Sequence, residues 1–191
     1  MLRYVCLSDL HAGADASLVT PLAGDTNQGN RNGLSSVTAA FVNAVHGFLD
    51  AYPEGVASNS DKALPQLVLL GDMLDLAFSD RGKASEIFGE FLSVFAGPNG
   101  AVNNAKKRFQ DELIVIPGNH DHSLWTGSRY AYEASKIGSG DKEGGDGLLR
   151  ATKAFSSTPD IQSPLIDGIA KHVGLKGTSD LRYPNFGTVS K

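Results

Sequence analysis

The chain has 191 residues, 41% of them hydrophobic and 20% charged, with a formal net charge of −4. That apolar share supports a packed core and excludes disorder as the main state, while the mild acidity argues against non-specific nucleic-acid binding, which needs basic patches. No apolar run is long enough to cross a bilayer, and the one cysteine, Cys6, excludes a disulfide framework and a four-cysteine zinc site. The opening Met1-Leu2-Arg3-Tyr4-Val5 carries neither a basic leader nor a long apolar stretch, so the expected compartment is the cytoplasm.

The first predicted element is a strand over Tyr4–Leu7, stopped by Ser8-Asp9. A helical stripe follows, with Val37, Phe41, Val45, Phe48, Leu49 and Tyr52 at three- and four-residue spacing. Ser35 or Ser36 caps its start and Pro53 follows its end. Gln66–Leu70 is the second strand, stopped by Gly71-Asp72. Ile87, Phe88, Phe91, Leu92 and Phe95 make a second helical stripe, ended by Gly97-Pro98. Leu113–Ile116 is the third strand, stopped by Pro117-Gly118. The three strand runs are continuously apolar, the pattern of strands buried on both faces. Alternation of strand and helix implies parallel strands joined by crossovers, an α/β fold.

Beyond Asp121 the pattern weakens. Tyr130–Ile137 reads as a helix with Gly138 just past it, and the Gly-rich stretch Ser139–Gly147 as a solvated loop. That stretch lacks the spacing of a phosphate-binding loop, and no strand precedes it. Ser163-Pro164 opens another helix, with Ile166, Ile169, Ala170 and Val173 as its stripe and Gly174 as its stop.

Each strand run ends in polar residues that suit a metal: Ser8-Asp9-Leu10-His11, Gly71-Asp72-Met73-Leu74-Asp75 and Gly118-Asn119-His120-Asp121. In open parallel sheets, ligands bind outside the carboxyl ends of the strands, so the three endings converge on one crevice. With the backbone still extended, Asp9 and His11 leave on the same side and hold one ion together. Carboxylate with imidazole suits Mn, Fe or Zn better than Ca or Mg. Asp72 has two oxygens and can bridge two ions, and Asn119 adds a neutral amide oxygen. His120 points towards a substrate, with Asp121 fixing its imidazole tautomer. Two ions about 3.5–4 Å apart suit phosphate ester hydrolysis, with His120 as general acid. Taken singly, Asp9, Asp72 and Asn119 can also be plain turn residues.

Asp-x-His, Gly-Asp-x-x-Asp and Gly-Asn-His-Asp, in this order and each after an apolar run, resemble the calcineurin-like metallophosphoesterases. The resemblance covers about Leu2 to Asp121. It implies a two-sheet α/β sandwich and two divalent ions. Asp9 and His11 would hold the first ion, Asp72 would bridge, Asn119 would hold the second, and His120 would contact the substrate phosphate. Asp75 would support the ligands from behind or serve the fold. Protein phosphatases of this superfamily carry arginines shortly after the second and third motifs. Here Leu76-Ala77-Phe78 and His122-Ser123-Leu124 stand there, so a small phosphorylated substrate is expected instead.

The resemblance also implies further histidines in a Gly-His-x-His or His-Gly-His type motif. The five histidines, His11, His46, His120, His122 and His172, form none. The expectation is therefore a single, C-terminally truncated domain whose activity is impaired on its own. Residues 1–121 carry the motifs and 122–191 form a helical and loop segment, a candidate cap or substrate-binding insertion. The competing expectation is a non-catalytic interaction module with a partial metal site. A Rossmann nucleotide binder fails for want of Gly-x-Gly-x-x-Gly after the first strand.

Other chemistry-bearing residues take plainer readings. His46 is structural, His172 sits at a helix end where the dipole favours it, and His122 is a loop residue beside the site. Trp125 and Tyr130 are packing residues before they are stacking platforms. Arg129 and Lys136 belong to a solvated helix face. Cys6 is a small hydrophobe inside a buried strand.

Overall fold

All three predicted strands form, and a short fourth joins them. In a computed structural model, residues 2–20, 35–51, 64–97, 107–138, 162–175 and 179–181 are described. β1 (Tyr4–Leu7), β2 (Gln66–Leu70), β3 (Leu113–Ile116) and β4 (Ser179–Leu181) make one sheet in the order β1-β2-β3-β4. Every neighbouring pair is parallel, with Cys6 opposite Val68 and Val68 opposite Ile114. The helices are α1 (Ser36–Ala51), α2 (Arg81–Phe95), α3 (Ser123–Gly138) and α4 (Pro164–His172). Among these residues no helix is long and apolar enough to cross a membrane.

Sequential order and parallel pairing have a consequence for burial. Right-handed crossovers between successive neighbours carry the connecting helices to the same face. Leu7, Leu67, Leu69, Leu113 and Val115 are buried on that face. They meet an aromatic layer in which Phe91, Phe95 and Phe109 stack at 5.2 and 5.1 Å between ring centres. Each fully buried phenylalanine contributes about 2–3 kcal/mol of apolar transfer. The opposite face is more open: Tyr4, Cys6 and Leu70 are exposed and Ile114 and Ile116 are half-buried, while Val68 at the centre of β2 is buried. Among the described residues burial on both faces is found only at the middle of β2, where Leu67, Val68 and Leu69 are all buried, and Cys6 is exposed rather than buried. Continuous apolar runs do mark both faces as hydrophobic, but among the described residues the helices gather on one of them.

Two helices differ in detail from their patterns, and a third matches. The buried side of α1 is Thr38, Val42, His46 and Leu49, while Val37, Phe41 and Phe48 are exposed. The helix is turned by one position, about 100°, from its apolar stripe. Polar anchors set that face. Ser35 Oγ accepts from Thr38 N (3.1 Å) as the cap, and both hydroxyls donate to Leu18 O at 2.7 and 2.6 Å. At the other end, His46 Nε2 lies 2.9 Å from Phe95 O. α3 begins at Ser123, seven residues before the predicted Tyr130, directly after the third motif. Trp125 is buried, as expected of a packing residue, whereas Tyr130 is exposed. α4 matches its prediction, with Ser163 as cap, Pro164 in the first turn and Ile166, Ile169 and Ala170 buried. Segment 122–191 also supplies β4, too short a strand to leave a periodic signal. Tyr52, Pro53, Pro98, the 139–147 stretch and the side chain of Lys136 lie outside the described residues.

His46 gives the fold an acid sensitivity. Burial holds its imidazole below the usual histidine pKa, and Phe95 O accepts its ring N–H. The unfolded chain therefore binds a proton that the folded chain refuses once pH falls below the ordinary histidine value. Stability from this group is complete above that value and declines below it. In urea unfolding at pH 7.5 and 5.5, His46→Gln should lose less stability on acidification than the parent. An equal or larger loss would show that the acid limb arises elsewhere.

Candidate metal centre

The three strand exits are laced to one another by backbone hydrogen bonds. Asp9 N donates to Gly71 O (3.2 Å), His11 N to Asp72 O (2.8 Å) and Ala12 N to Met73 O (2.9 Å), while Asp75 N returns to Ala12 O (3.0 Å). The third exit joins through side chains: His120 N donates to Asp72 Oδ1 (2.8 Å). Two glycines allow this approach. Gly71 has φ +80°, and a Cβ on it would come within 3.0 Å of Gly118 Cα. A Cβ on Gly118 would collide with the Asp72 carboxylate and backbone. Only glycines at both strand ends let Asp72 stand where it does.

Asp9, His11 and Asp72 each have left-handed backbone, with φ of 56°, 48° and 53°. The extended path expected between Asp9 and His11 is therefore replaced by two turns, and these bring the side chains together. One ligand atom from each of Asp9, His11 and Asp72 lies within 4.8 Å of the others. His11, Asp75 and His120 form a second such group, so His11 belongs to both. Left-handed backbone outside glycine costs about 1 kcal/mol or more per residue and clusters at functional sites. Asp9→Gly should accordingly raise the stability of the metal-free protein by about 1 kcal/mol over Asp9→Ala. Both variants lose the same charge, so denaturant midpoints that coincide would dismiss backbone strain as the cause.

His120 is held by Asp75. Its Nδ1 lies 3.0 Å from Asp75 Oδ1, and the same carboxylate accepts from Phe78 N and Ser79 Oγ, both at 3.3 Å. The hydrogen bond to Asp75 holds the His120 pKa above the usual histidine range, assisted by Asp72, and lowers that of Asp75 in return. The edge of the His120 ring meets His11, with centroids 4.5 Å apart.

Asp121, expected as the partner of His120 and as a catalytic group, is placed elsewhere. It is fully buried and accepts from Gly118 N (2.6 Å) and Met73 N (2.8 Å). Burial raises its pKa, although those backbone donors pull the other way. Its role is to tie the second and third exits together from beneath. Neighbours in sequence leave the backbone in different directions, which is why the residue beside His120 is not its partner.

The remaining candidates sort by position. Asn119 is exposed at the same strand end as His120. His122 is exposed just past it, in the turn that opens α3. His46 is in the core, and His172 is exposed in the last turn of α4. Arg129 is half-buried on α3. Sequence reasoning passed over Phe78, a residue that is 84% exposed and whose ring stands against His120 with centroids 5.4 Å apart. A lone aromatic inside a turn, on no helix or strand stripe, was the available signal.

A parallel sheet with carboxylates and imidazoles gathered at its strand ends defines an α/β protein with a candidate divalent-metal site. The family model for calcineurin-like phosphoesterases matches residues 2–182, and the chain belongs to that family. Comparison with curated proteins finds no match, and comparison with solved structures finds none.

Proposed function

We propose that the protein hydrolyses a phosphoric ester of a small molecule with two divalent ions, of the Mn, Fe or Zn type, held at the strand ends. The observation that carries this reading is the ligand group of Asp9, His11 and Asp72 gathered at the strand ends, with His120 beside it. The donor set fits such ions. Among the described residues neither Asp9 nor Asp72 is paired with a lysine or arginine, so both carboxylates are available to a cation. Mixed carboxylate and imidazole donors favour a transition metal over calcium.

Asp9 and His11 would hold one ion, Asn119 the other, and the two oxygens of Asp72 would serve both. Bound ions at such a site lower the pKa of water and draw charge from phosphoryl oxygens. His120, with Nδ1 held on Asp75, has Nε2 left to donate a proton to the departing alkoxide. The hydrogen bond to Asp75 favours the protonated ring, as a general acid requires. The test is metal analysis of the purified chain, with turnover of p-nitrophenyl phosphate and its bis-ester in added Mn. Metal binding without turnover would favour an interaction module, and no metal binding at all would refute the site.

A further inference from the structure

We propose that Phe78 forms the seat for the alcohol side of the substrate and selects esters that carry a flat aromatic ring. The inference deepens the phosphoesterase reading and rests on it. Exposed phenylalanines are unremarkable when scattered singly. This one is positioned. Its backbone N–H is tethered to Asp75 Oδ1 (3.3 Å), the same oxygen that lies 3.0 Å from His120 Nδ1. Its ring meets His120 edge-on at 5.4 Å and 68°, and His120 in turn meets the metal-ligand candidate His11. Backbone and ring contacts thus fix an apolar plane beside the group that would protonate the leaving oxygen. With 84% of the residue exposed, that plane is left to solvent.

The chemistry follows from direction. A phosphoryl group drawn to cations held by Asp9, His11 and Asp72 would have His120 within reach of its leaving oxygen. The carbon skeleton attached to that oxygen then passes Phe78. A neutral ring offers no charge or hydrogen bond to a sugar or a short alkyl chain. It does offer apolar area and a π-face to an aryl or nucleobase ring, where stacking is favourable.

The experiment measures binding to the Mn-loaded protein by calorimetry, with phenylphosphonate and methylphosphonate as probes. The expected result is a preference of about tenfold for the phenyl compound, from stacking and added apolar contact. Phe78→Leu, which removes the π-face, should weaken phenylphosphonate binding and lower that preference several-fold, while Phe78→Trp should keep it. In such an exposed position neither change threatens the fold. An unchanged preference in Phe78→Leu, or none in the parent, overturns the proposal. Phosphonate binding is read without turnover, so the two readings separate. A Phe78-dependent preference in a protein that hydrolyses nothing would retain the ring's role and sink the hydrolase. Turnover without that preference would do the reverse, and failure to bind either probe would sink both.

Discussion

Asp72→Asn is expected to remove bound metal and phosphoesterase turnover together, with the fold retained. Asparagine keeps the size of the side chain and an oxygen able to accept from His120 N, now at 2.8 Å from Asp72 Oδ1. It also tolerates the left-handed backbone that position 72 requires (φ 53°). What it lacks is the negative charge and the second oxygen. Loss of a group that merely orients a ligand costs about 10- to 100-fold in metal affinity. A carboxylate placed to serve both ions should exceed that, so a loss of at least ~100-fold is expected, read by metal titration and by rate at fixed Mn. Far-UV circular dichroism of the variant should match the parent. Retained stoichiometric metal with full turnover would remove Asp72 from the centre. Loss of secondary structure would instead make it a folding residue.

Much of this centre was legible because strand exits announce themselves. An apolar run followed by Gly-Asp or Gly-Asn-His needs no long-range information to be read, and parallel order brings such exits to one edge. Legibility failed where the answer depended on pairing across the fold. Asp75 reaches His120 from another strand exit, 45 residues away in sequence, while the adjacent Asp121 turns inward to backbone amides. No local pattern separates the two carboxylates. The face of α1 failed for a related reason. Its apolar stripe pointed one way, but Ser35 and Thr38 on Leu18 O and His46 on Phe95 O fix another. Buried polar groups must be satisfied, and that requirement outweighs the exposure of Val37, Phe41 and Phe48. The unequal cover of the two sheet faces among the described residues was likewise hidden. Apolar content says that a face should be covered, whereas strand order decides which face the crossover helices reach.

His120→Ala separates proton transfer from metal binding. A positioned general acid contributes about 10²- to 10⁴-fold, so turnover of an alkyl phosphate should fall by that order. The fall should be much smaller for p-nitrophenyl phosphate, whose leaving group departs as a stable anion and needs little protonation. Metal content should be unchanged, because Asp9, His11 and Asp72 form a ligand group without His120. The alternative group of His11, Asp75 and His120 makes the opposite forecast. If an ion sat there, His120→Ala would lose metal, and both substrates would suffer equally. The 3.0 Å contact between His120 Nδ1 and Asp75 Oδ1 favours the first outcome, since a proton shared on that line leaves neither atom open to a cation. Asp75→Asn extends the comparison. It keeps an oxygen near Nδ1 but removes the charge that holds the imidazolium. It should lower alkyl ester turnover by about 10- to 100-fold, the usual cost of losing an orienting partner, and again spare the metal. Metal lost from both variants would relocate an ion to the Asp75 side of His11 and make His120 a ligand in place of a proton donor.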